Sequence, residues 1–253
     1  MRIRVLGAHG GALPNHRTTC FVLDGVVAVD AGSLCALTIE EQVRISDVFL
    51  THCHLDHVKD LPLMTDNVIL RRPTPVMVRG PQQTIVSLDQ DVFNDRLWPD
   101  FRAIPTREAP VVRIEKLAPR TPVVVGEFRF TGIPVTHPVE SYGYIVEQDG
   151  KVVAFSGDTG PTEAFWLALN AMPRLDALFV ETSFPDQLQA VADASGHFTP
   201  STLALELKTK LERRGARIFV HHLKPAFVPQ IKQELAALAM DLRVCENDDE
   251  YEI

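Results

Sequence analysis

No apolar run in this chain approaches the 18 or more residues that a membrane-spanning helix needs, so no membrane partner is expected. The N-terminal pattern Arg2-Ile3-Arg4-Val5-Leu6 is too short for the apolar core of a secretory signal, and no small-residue cleavage site follows it. Cysteine is sparse. Cys20, Cys35, Cys53 and Cys245 are scattered without a C-x-x-C pair, which removes a disulfide framework and fits free thiols in a reducing cytoplasm. No Gly/Ser linker, low-complexity tract or repeat interrupts the sequence. With 45% apolar and 23% charged residues, the composition predicts one globular domain over 1–253. Basic residues are in deficit, leaving a net charge of −8. A large nucleic acid gripped through phosphate neutralisation is therefore disfavoured. A small phosphodiester is not, because a metal pair supplies positive charge locally.

Histidine is what the sequence has, and it is concentrated. Thr51-His52-Cys53-His54-Leu55-Asp56-His57 follows the apolar run Val48-Phe49-Leu50, so an H-x-H-x-D-H block stands at a predicted strand end. His and Asp are the ligands of zinc-class ions in sites that do chemistry, and four of them so close together can be divided between two ions. A metal pair ionises water at neutral pH and clamps both ends of an in-line displacement. His137, Asp158 and His222 each lie just past another strand-like run, at 128–135, 152–156 and 216–220. Strand ends are where α/β folds build sites. Cys53 lies between two candidate ligands, and alternation turns it away from them, as a small buried filler. His221 and His222 are adjacent, so alternation lets one of the two reach the metals.

The periodicities predict strands at 2–6, 20–24 and 26–30, with Asp24-Gly25 as a hairpin turn, and strands at 75–79, 111–116, 122–125, 128–135, 141–147, 151–155 and 176–181. Helices are predicted at 38–45, 57–64, 81–96 and 162–170. A last helix is capped by Thr199, carries Pro200 in its first turn and a Leu203/Leu207/Leu211 stripe, and closes at Gly215. His197 stands just before it, where a helix start favours an anion. The glycine-bearing loop 6–19 connects the first strands and is a candidate lining of the pocket. The segment from Phe93 through Trp98 to Phe101 is an aromatic cluster, read first as packing under a loop and second as a platform for a base or ring.

Thr-His52-Cys-His54-Leu-Asp56-His57, Val-Thr-His137, Ser-Gly-Asp158-Thr-Gly and His222-Leu-Lys-Pro together resemble the metallo-β-lactamase fold, from the first strand to about residue 230. The resemblance implies an α/β architecture: an αββα sandwich of two mixed β-sheets flanked by helices. It implies two divalent metal ions, with zinc the default and iron or manganese suited to the same donors. His52, His54 and His137 would hold the first ion, Asp56, His57 and the last histidine the second, and Asp158 would bridge both. The pattern favours His222 as that last histidine, with His221 left to packing or support.

Further segments are similar to class II 3′,5′-cyclic-nucleotide phosphodiesterases. They are Leu6-Gly7-Ala8-His9-Gly10-Gly11, Thr18-Thr19-Cys20-Phe21 leading to Asp30-Ala31-Gly32, and Phe93-Asn94-Asp95-Arg96-Leu97-Trp98-Pro99. Gly157 to Pro161, Glu181-Thr182-Ser183-Phe184-Pro185, Gly196-His197-Phe198-Thr199-Pro200 and His222-Leu223-Lys224-Pro225 complete the set. This resemblance implies cleavage of the 3′ ester of cAMP or cGMP to the 5′-nucleotide. Two positions depart from it. His9 stands where a small hydroxyl residue is usual, and Lys59-Asp60 where glycine or serine is usual. The implied catalytic residues are Asp56, as a proton acceptor, and His197, as a proton donor or oxygen stabiliser. His9, Ser183 and Trp98 are candidate substrate contacts, and Glu181 a candidate support for a ligand histidine. A tRNA 3′-end endonuclease shares the metal block and the histidine before a helix, but would need a basic arm. A glyoxalase-type thioesterase or lactonase shares the ligands without needing His197. A non-catalytic metal- or nucleotide-binding module would show a degenerate ligand set, and this one is intact. A homodimer is the default assembly expected of such an enzyme.

Overall fold

The computed structural model describes residues 1–213 and 215–253. Its strands are β1 (Arg2–Gly7), β2 (Cys20–Leu23), β3 (Val27–Val29), β4 (Asp47–Phe49), β5 (Val76–Gly80), β6 (Val112–Lys116), β7 (Pro122–Val125), β8 (Phe128–Pro134), β9 (Tyr142–Gln148), β10 (Lys151–Phe155), β11 (Ala177–Glu181), β12 (Arg217–His221), β13 (Leu242–Val244) and β14 (Glu250–Glu252). The helices are α1 (Ile39–Arg44), α2 (Leu55–Val58), α3 (Asp60–Asn67), α4 (Gln82–Ser87), α5 (Glu163–Ala171), α6 (Gln189–Ser195), α7 (Pro200–Thr209) and α8 (Val228–Ala237). One seven-stranded sheet runs β14-β1-β2-β3-β4-β5-β6 and the other β13-β12-β11-β10-β9-β8-β7. Both are mixed. In the first, β3 to β6 are parallel and the rest antiparallel. In the second, β10 to β13 are parallel and β7 to β10 antiparallel.

Three apolar cores separate four layers. Alternation along each strand decides which residue serves which core. Ile3 and Val5, Phe128 and Phe130, Ala177 and Phe179 point between the sheets. There Phe49 stacks on Phe130 with centroids 3.8 Å apart, and Phe179 stacks on both Phe155 and Phe219. Such contacts each add about 0.5–1.5 kcal/mol beyond simple burial. Leu61, Met64 and Leu88 cover the outer face of the first sheet, against Val48, Val76 and Val78. Trp166, Leu203, Leu207 and Ile231 cover the outer face of the second, against Leu178, Val180 and Val220. The central strands of the second sheet are buried on both faces, which is why β9 and β11 read as nearly unbroken apolar runs.

Most predicted elements are present with shifted ends. The Asp24-Gly25 turn has both residues at positive φ, +46° and +75°, as a hairpin of this twist requires. The predicted helix 57–64 is two short helices, α2 and α3. The predicted helix 81–96 is shorter: Pro81 caps α4 rather than entering it, and a π-helical turn at Leu88–Val92 ends it before the aromatic segment. Thr199 caps α7 with Thr202 in a reciprocal capping box, and Pro200 is its first residue, as predicted. That helix ends at Thr209, well before Gly215; position 214, which the prediction included, lies outside the described residues. Leu211 is buried with Leu203 and Leu207 although it lies beyond the helix. Cys53, predicted to be buried, is half-buried. Among the described residues no helix is long and apolar enough to cross a membrane.

Candidate metal centre

Every candidate ligand hangs from the end of a strand. The H-x-H block leaves β4 in extended conformation, so His52 and His54 project to one side and Cys53 to the other. His54 is the N-cap of α2, with φ −63° and ψ 146°, and the single turn that follows carries Asp56 and His57 round to the same point. His137 follows β8, Asp158 follows β10, Ser183 follows β11 and His222 follows β12. Gly157, at φ +61°, makes the bend before Asp158; a Cβ there would stand 2.8 Å from the Tyr142 carbonyl oxygen and 3.1 Å from Thr51 Cβ.

The donors converge in three groups. His52, His54, His137 and Asp158 form one, Asp56, His57 and His222 a second, and Asp158, His197 and His222 a third that overlaps both, with donor atoms inside each group within 4.8 Å of one another. Asp158 links the groups: its Oδ2 lies 3.2 Å from His222 Nε2, 3.3 Å from His57 Nε2 and 3.6 Å from His52 Nε2. His57 Nε2 faces His222 Nε2 at 3.2 Å, and His137 Nε2 faces His54 Nδ1 at 3.3 Å. His52 Nε2 and Asp158 Oδ1 are buried without a hydrogen-bond partner among the described residues. Lone pairs that face each other, with orphaned acceptors beside them, fit cations placed between them. All the donors are nitrogen or oxygen, as divalent zinc, iron or manganese prefer.

The outward nitrogens of His52, His57, His137 and His222 are each engaged. His57 Nδ1 lies 2.7 Å from Asp30 Oδ2, and His52 Nδ1 lies 3.0 Å from the Thr51 hydroxyl, which is itself 3.0 Å from both Asp30 oxygens. The Thr51 amide also donates to Asp30 Oδ1 at 2.8 Å. His137 Nδ1 meets the Gly196 carbonyl at 3.0 Å, and His222 Nδ1 meets Ser183 Oγ at 2.9 Å. Partners of this kind fix tautomer and ring direction and raise ligand basicity. Burial, aided by the nearby His57, keeps His52 well below the usual imidazole range, so its imidazole is neutral. Burial opposes charge on Asp56, yet the His222 hydrogen bond and the charges of His57 and His222 hold it well below the usual carboxylate range.

His222 itself sits at φ +67°, a conformation rarely adopted by residues other than glycine. The loop after β1 holds it there. The His222 amide donates to the Ala8 carbonyl at 2.6 Å, and Gly10 lies so close that a Cβ would stand 2.6 Å from the imidazole Cε1. Gly10 thus serves close approach to a candidate ligand histidine, whereas Gly7 faces the Arg17 and Thr18 carbonyls and Gly11 faces Pro225.

His197 Nδ1 lies 2.8 Å from Glu181 Oε1, and its ring lies beside those of His137 and His222. Burial opposes charge on His197, but Glu181 outweighs it and raises the imidazole above its usual range. Glu181 thus supports His197 directly, and it reaches a candidate ligand histidine, His222, only through Ser183, whose hydroxyl donates to Glu181 Oε2 at 2.9 Å. Ser183 is fully buried, and its hydroxyl is taken by protein groups. His221 points the other way, edge-on to Phe21 in the core between the sheets, with burial pushing it down to about 3. His9 is buried beside His16, and the charges that act on it are those of His16, Glu246 and Lys232. Burial first and His16 second push it down to about 4. Trp98 is half-buried and packs with the core on the outer face of the first sheet. Asp30 and Thr51 carry no assigned role in the sequence reading, although the Asp-x-Gly after β3 marked the place. Lys224, whose Nζ is 3.9 Å from Asp56 Oδ2, was likewise without a role.

Residues 24–222 match the family described as the β-lactamase superfamily domain. A probable 3′,5′-cyclic-nucleotide phosphodiesterase of Yersinia pestis is 28% identical over 208 residues, which cover 72% of this chain and 58% of that protein. The chain therefore spans less than two thirds of that relative's length. Unliganded yeast PDE1 superposes with a TM-score of 0.79 at 22% identity, covering 96% of each chain. The short form of human tRNase Z superposes with a TM-score of 0.74 at 20% identity, covering 100% of this chain and 99% of that one. Two seven-stranded sheets between helical layers, with histidines and aspartates gathered at their strand ends, agree with the family match, and the chain belongs to the β-lactamase superfamily, with the metallo-β-lactamase fold.

Proposed function

We propose that the protein is a dinuclear metal-dependent phosphodiesterase that opens 3′,5′-cyclic nucleotides to 5′-nucleotides. One observation carries this reading: Asp158 lies between the His52/His54/His137 donors and the Asp56/His57/His222 donors, while His197, which also approaches Asp158 and His222, is held at Nδ1 by Glu181 at 2.8 Å. In this reading His52, His54, His137 and Asp158 would hold one ion, and Asp56, His57 and His222, with Asp158, would hold the other. Two divalent ions supply Lewis-acid polarisation of the phosphate and a water that ionises near neutral pH. The chain's own residues do the rest. Asp56, whose Oδ2 lies 3.3 Å from His222 Nε2 and 3.9 Å from Lys224 Nζ, would accept a proton from the attacking water. His197 has Nδ1 committed to Glu181, so Nε2 is its free nitrogen, and it gives a proton to the departing 3′ oxygen as the P–O3′ bond breaks. The net charge of −8 and the resemblance to cyclic-nucleotide phosphodiesterases favour a small phosphodiester over tRNA.

Purified, metal-quantified protein incubated with 3′,5′-cAMP is expected to release 5′-AMP, and His52→Ala is expected to abolish the release. Release of 3′-AMP, or none at all with metal bound, would sink the cyclic 3′-ester assignment. His197→Ala is expected to lower kcat by about 10²–10⁴-fold, the usual contribution of a positioned acid, while metal content stays at the wild-type level. Loss of metal in that variant would make His197 a ligand and remove its proposed role.

A further inference from the structure

We infer that Ser183 is a positioning residue that ties the second ion's ligand His222 to the Glu181–His197 proton donor. The inference rests on the phosphodiesterase reading. Its argument begins with proton counting. His222 Nε2 lies 3.2 Å from His57 Nε2, 3.3 Å from Asp56 Oδ2 and 3.2 Å from Asp158 Oδ2, so it is the nitrogen that must be bare to take a cation. The ring proton is then on Nδ1. The atom 2.9 Å from it is Ser183 Oγ, which must accept. A hydroxyl has one proton to give, and Glu181 Oε2 at 2.9 Å is a pure acceptor. The other Glu181 oxygen, 2.8 Å from His197 Nδ1, takes the His197 proton. The Phe198 and Thr159 amides also donate to that oxygen, at 3.3 Å and 3.1 Å, so Glu181 cannot swing without breaking several bonds.

The same wiring occurs on the other side of the site. Asp30 takes His57 directly and reaches His52 through the Thr51 hydroxyl. Glu181 takes His197 directly and reaches His222 through the Ser183 hydroxyl. Each buried carboxylate orients two imidazoles, one by contact and one by relay. The difference is that the Asp30 relay serves two candidate metal ligands, whereas the Ser183 relay joins a ligand to a proton donor. Removing the Ser183 hydroxyl therefore disturbs two functions at once: His222 loses the acceptor that fixes its tautomer, and His197 loses the hydroxyl oxygen that stands 3.1 Å from its Nδ1 beside Glu181.

The test compares wild type, Ser183→Ala and Ser183→Thr, with two readouts. Zinc affinity is measured by chelator competition, and turnover is measured on 3′,5′-cAMP and on bis(p-nitrophenyl) phosphate. Nitrophenolate departs without a proton, whereas the 3′ alkoxide requires one. Ser183→Ala is expected to weaken zinc binding by about 10- to 100-fold at one of the two ions, the usual cost of a lost outer partner. Its further loss in kcat is expected to be much larger on cAMP than on the nitrophenyl ester, measured at saturating zinc. Ser183→Thr, which keeps the hydroxyl, is expected to recover both. Unchanged zinc affinity, or an equal loss on the two esters, overturns the inference. If wild type hydrolyses neither ester, the phosphodiesterase reading falls, and the zinc measurement alone decides whether Ser183 holds His222.

Discussion

Asp158→Asn is expected to reduce turnover by more than about 100-fold and to leave fewer than two ions bound. That exceeds the 10- to 100-fold cost of losing an outer partner, because in the proposed site Asp158 would meet both ions. Its Oδ2 lies within 3.6 Å of three imidazole nitrogens, and its Oδ1 is buried with no hydrogen-bond partner among the described residues. Asparagine is nearly the same size, so packing is preserved. What changes is charge and donor type: the carboxylate goes, and an NH₂ group enters a space already lined by lone pairs. Metal analysis and turnover decide the matter together. Wild-type metal content with turnover within tenfold of wild type would show that Asp158 bridges nothing.

Removal of metal is expected to lower the melting temperature by about 5–10 °C. Asp30, Asp56, Asp158 and Glu181 place four carboxylates around the site, and paired imidazole nitrogens confront one another across 3.2 Å and 3.3 Å. With the cations gone, that arrangement keeps its repulsion and loses what balances it. A ligand at 100-fold its Kd adds about 2.7 kcal/mol to stability. For a chain of this size each kcal/mol is worth about 2–4 °C. Thermal scans at one rate, before and after dialysis against chelator, measure the shift, and re-added zinc should reverse it. A metal-free protein, verified by metal analysis, that melts with the holoprotein would show that these donors hold no structural charge balance.

The donors were legible in the sequence because ligand chemistry restricts residue type. H-x-H-x-D-H at the end of an apolar run has few other physical uses, and extended backbone decided which side each residue takes. Choosing between His221 and His222 needed the family pattern, and in the structure one faces the core and the other the site, as alternation requires. Groups that act at one remove were harder to read. Asp30 and Thr51 touch the site through imidazole nitrogens, and nothing in their own spacing says which histidine they meet. Ser183 was read as a substrate contact because a hydroxyl beside a strand end looks the same whether it faces a ligand or a carboxylate. His9 stands in a loop that does reach the site, but through the Ala8 carbonyl and Gly10; its own ring turns toward His16. The boundaries of α4 and α7 were missed because tertiary packing, not propensity, ends both: the π-helical turn at Leu88–Val92 buries Leu88, and Leu211 fills the outer core after the helix has stopped.

The pairing of β1 with β14 sets the order in which this molecule can be made. Arg2 lies opposite Glu252 and Ile3 opposite Tyr251, so the outermost join of the first sheet connects positions separated by nearly the whole sequence. Contacts of such separation are the slowest to form, since a long loop must close before they stabilise anything. On the ribosome, β1 emerges well before β14 and waits for it, with one edge open in the interval. An open edge is a template for pairing with another chain. The chemistry waits as well, because His222 comes after three quarters of the ligand-bearing strands have been synthesised, and a nascent chain that has acquired His52 and His54 still lacks the residues that complete either donor group. Completion of the donor group that needs His222 therefore comes late in synthesis, well after the group that ends with Asp158, and a chain stalled or truncated before His222 is expected to lack that group and to be prone to edge-to-edge association.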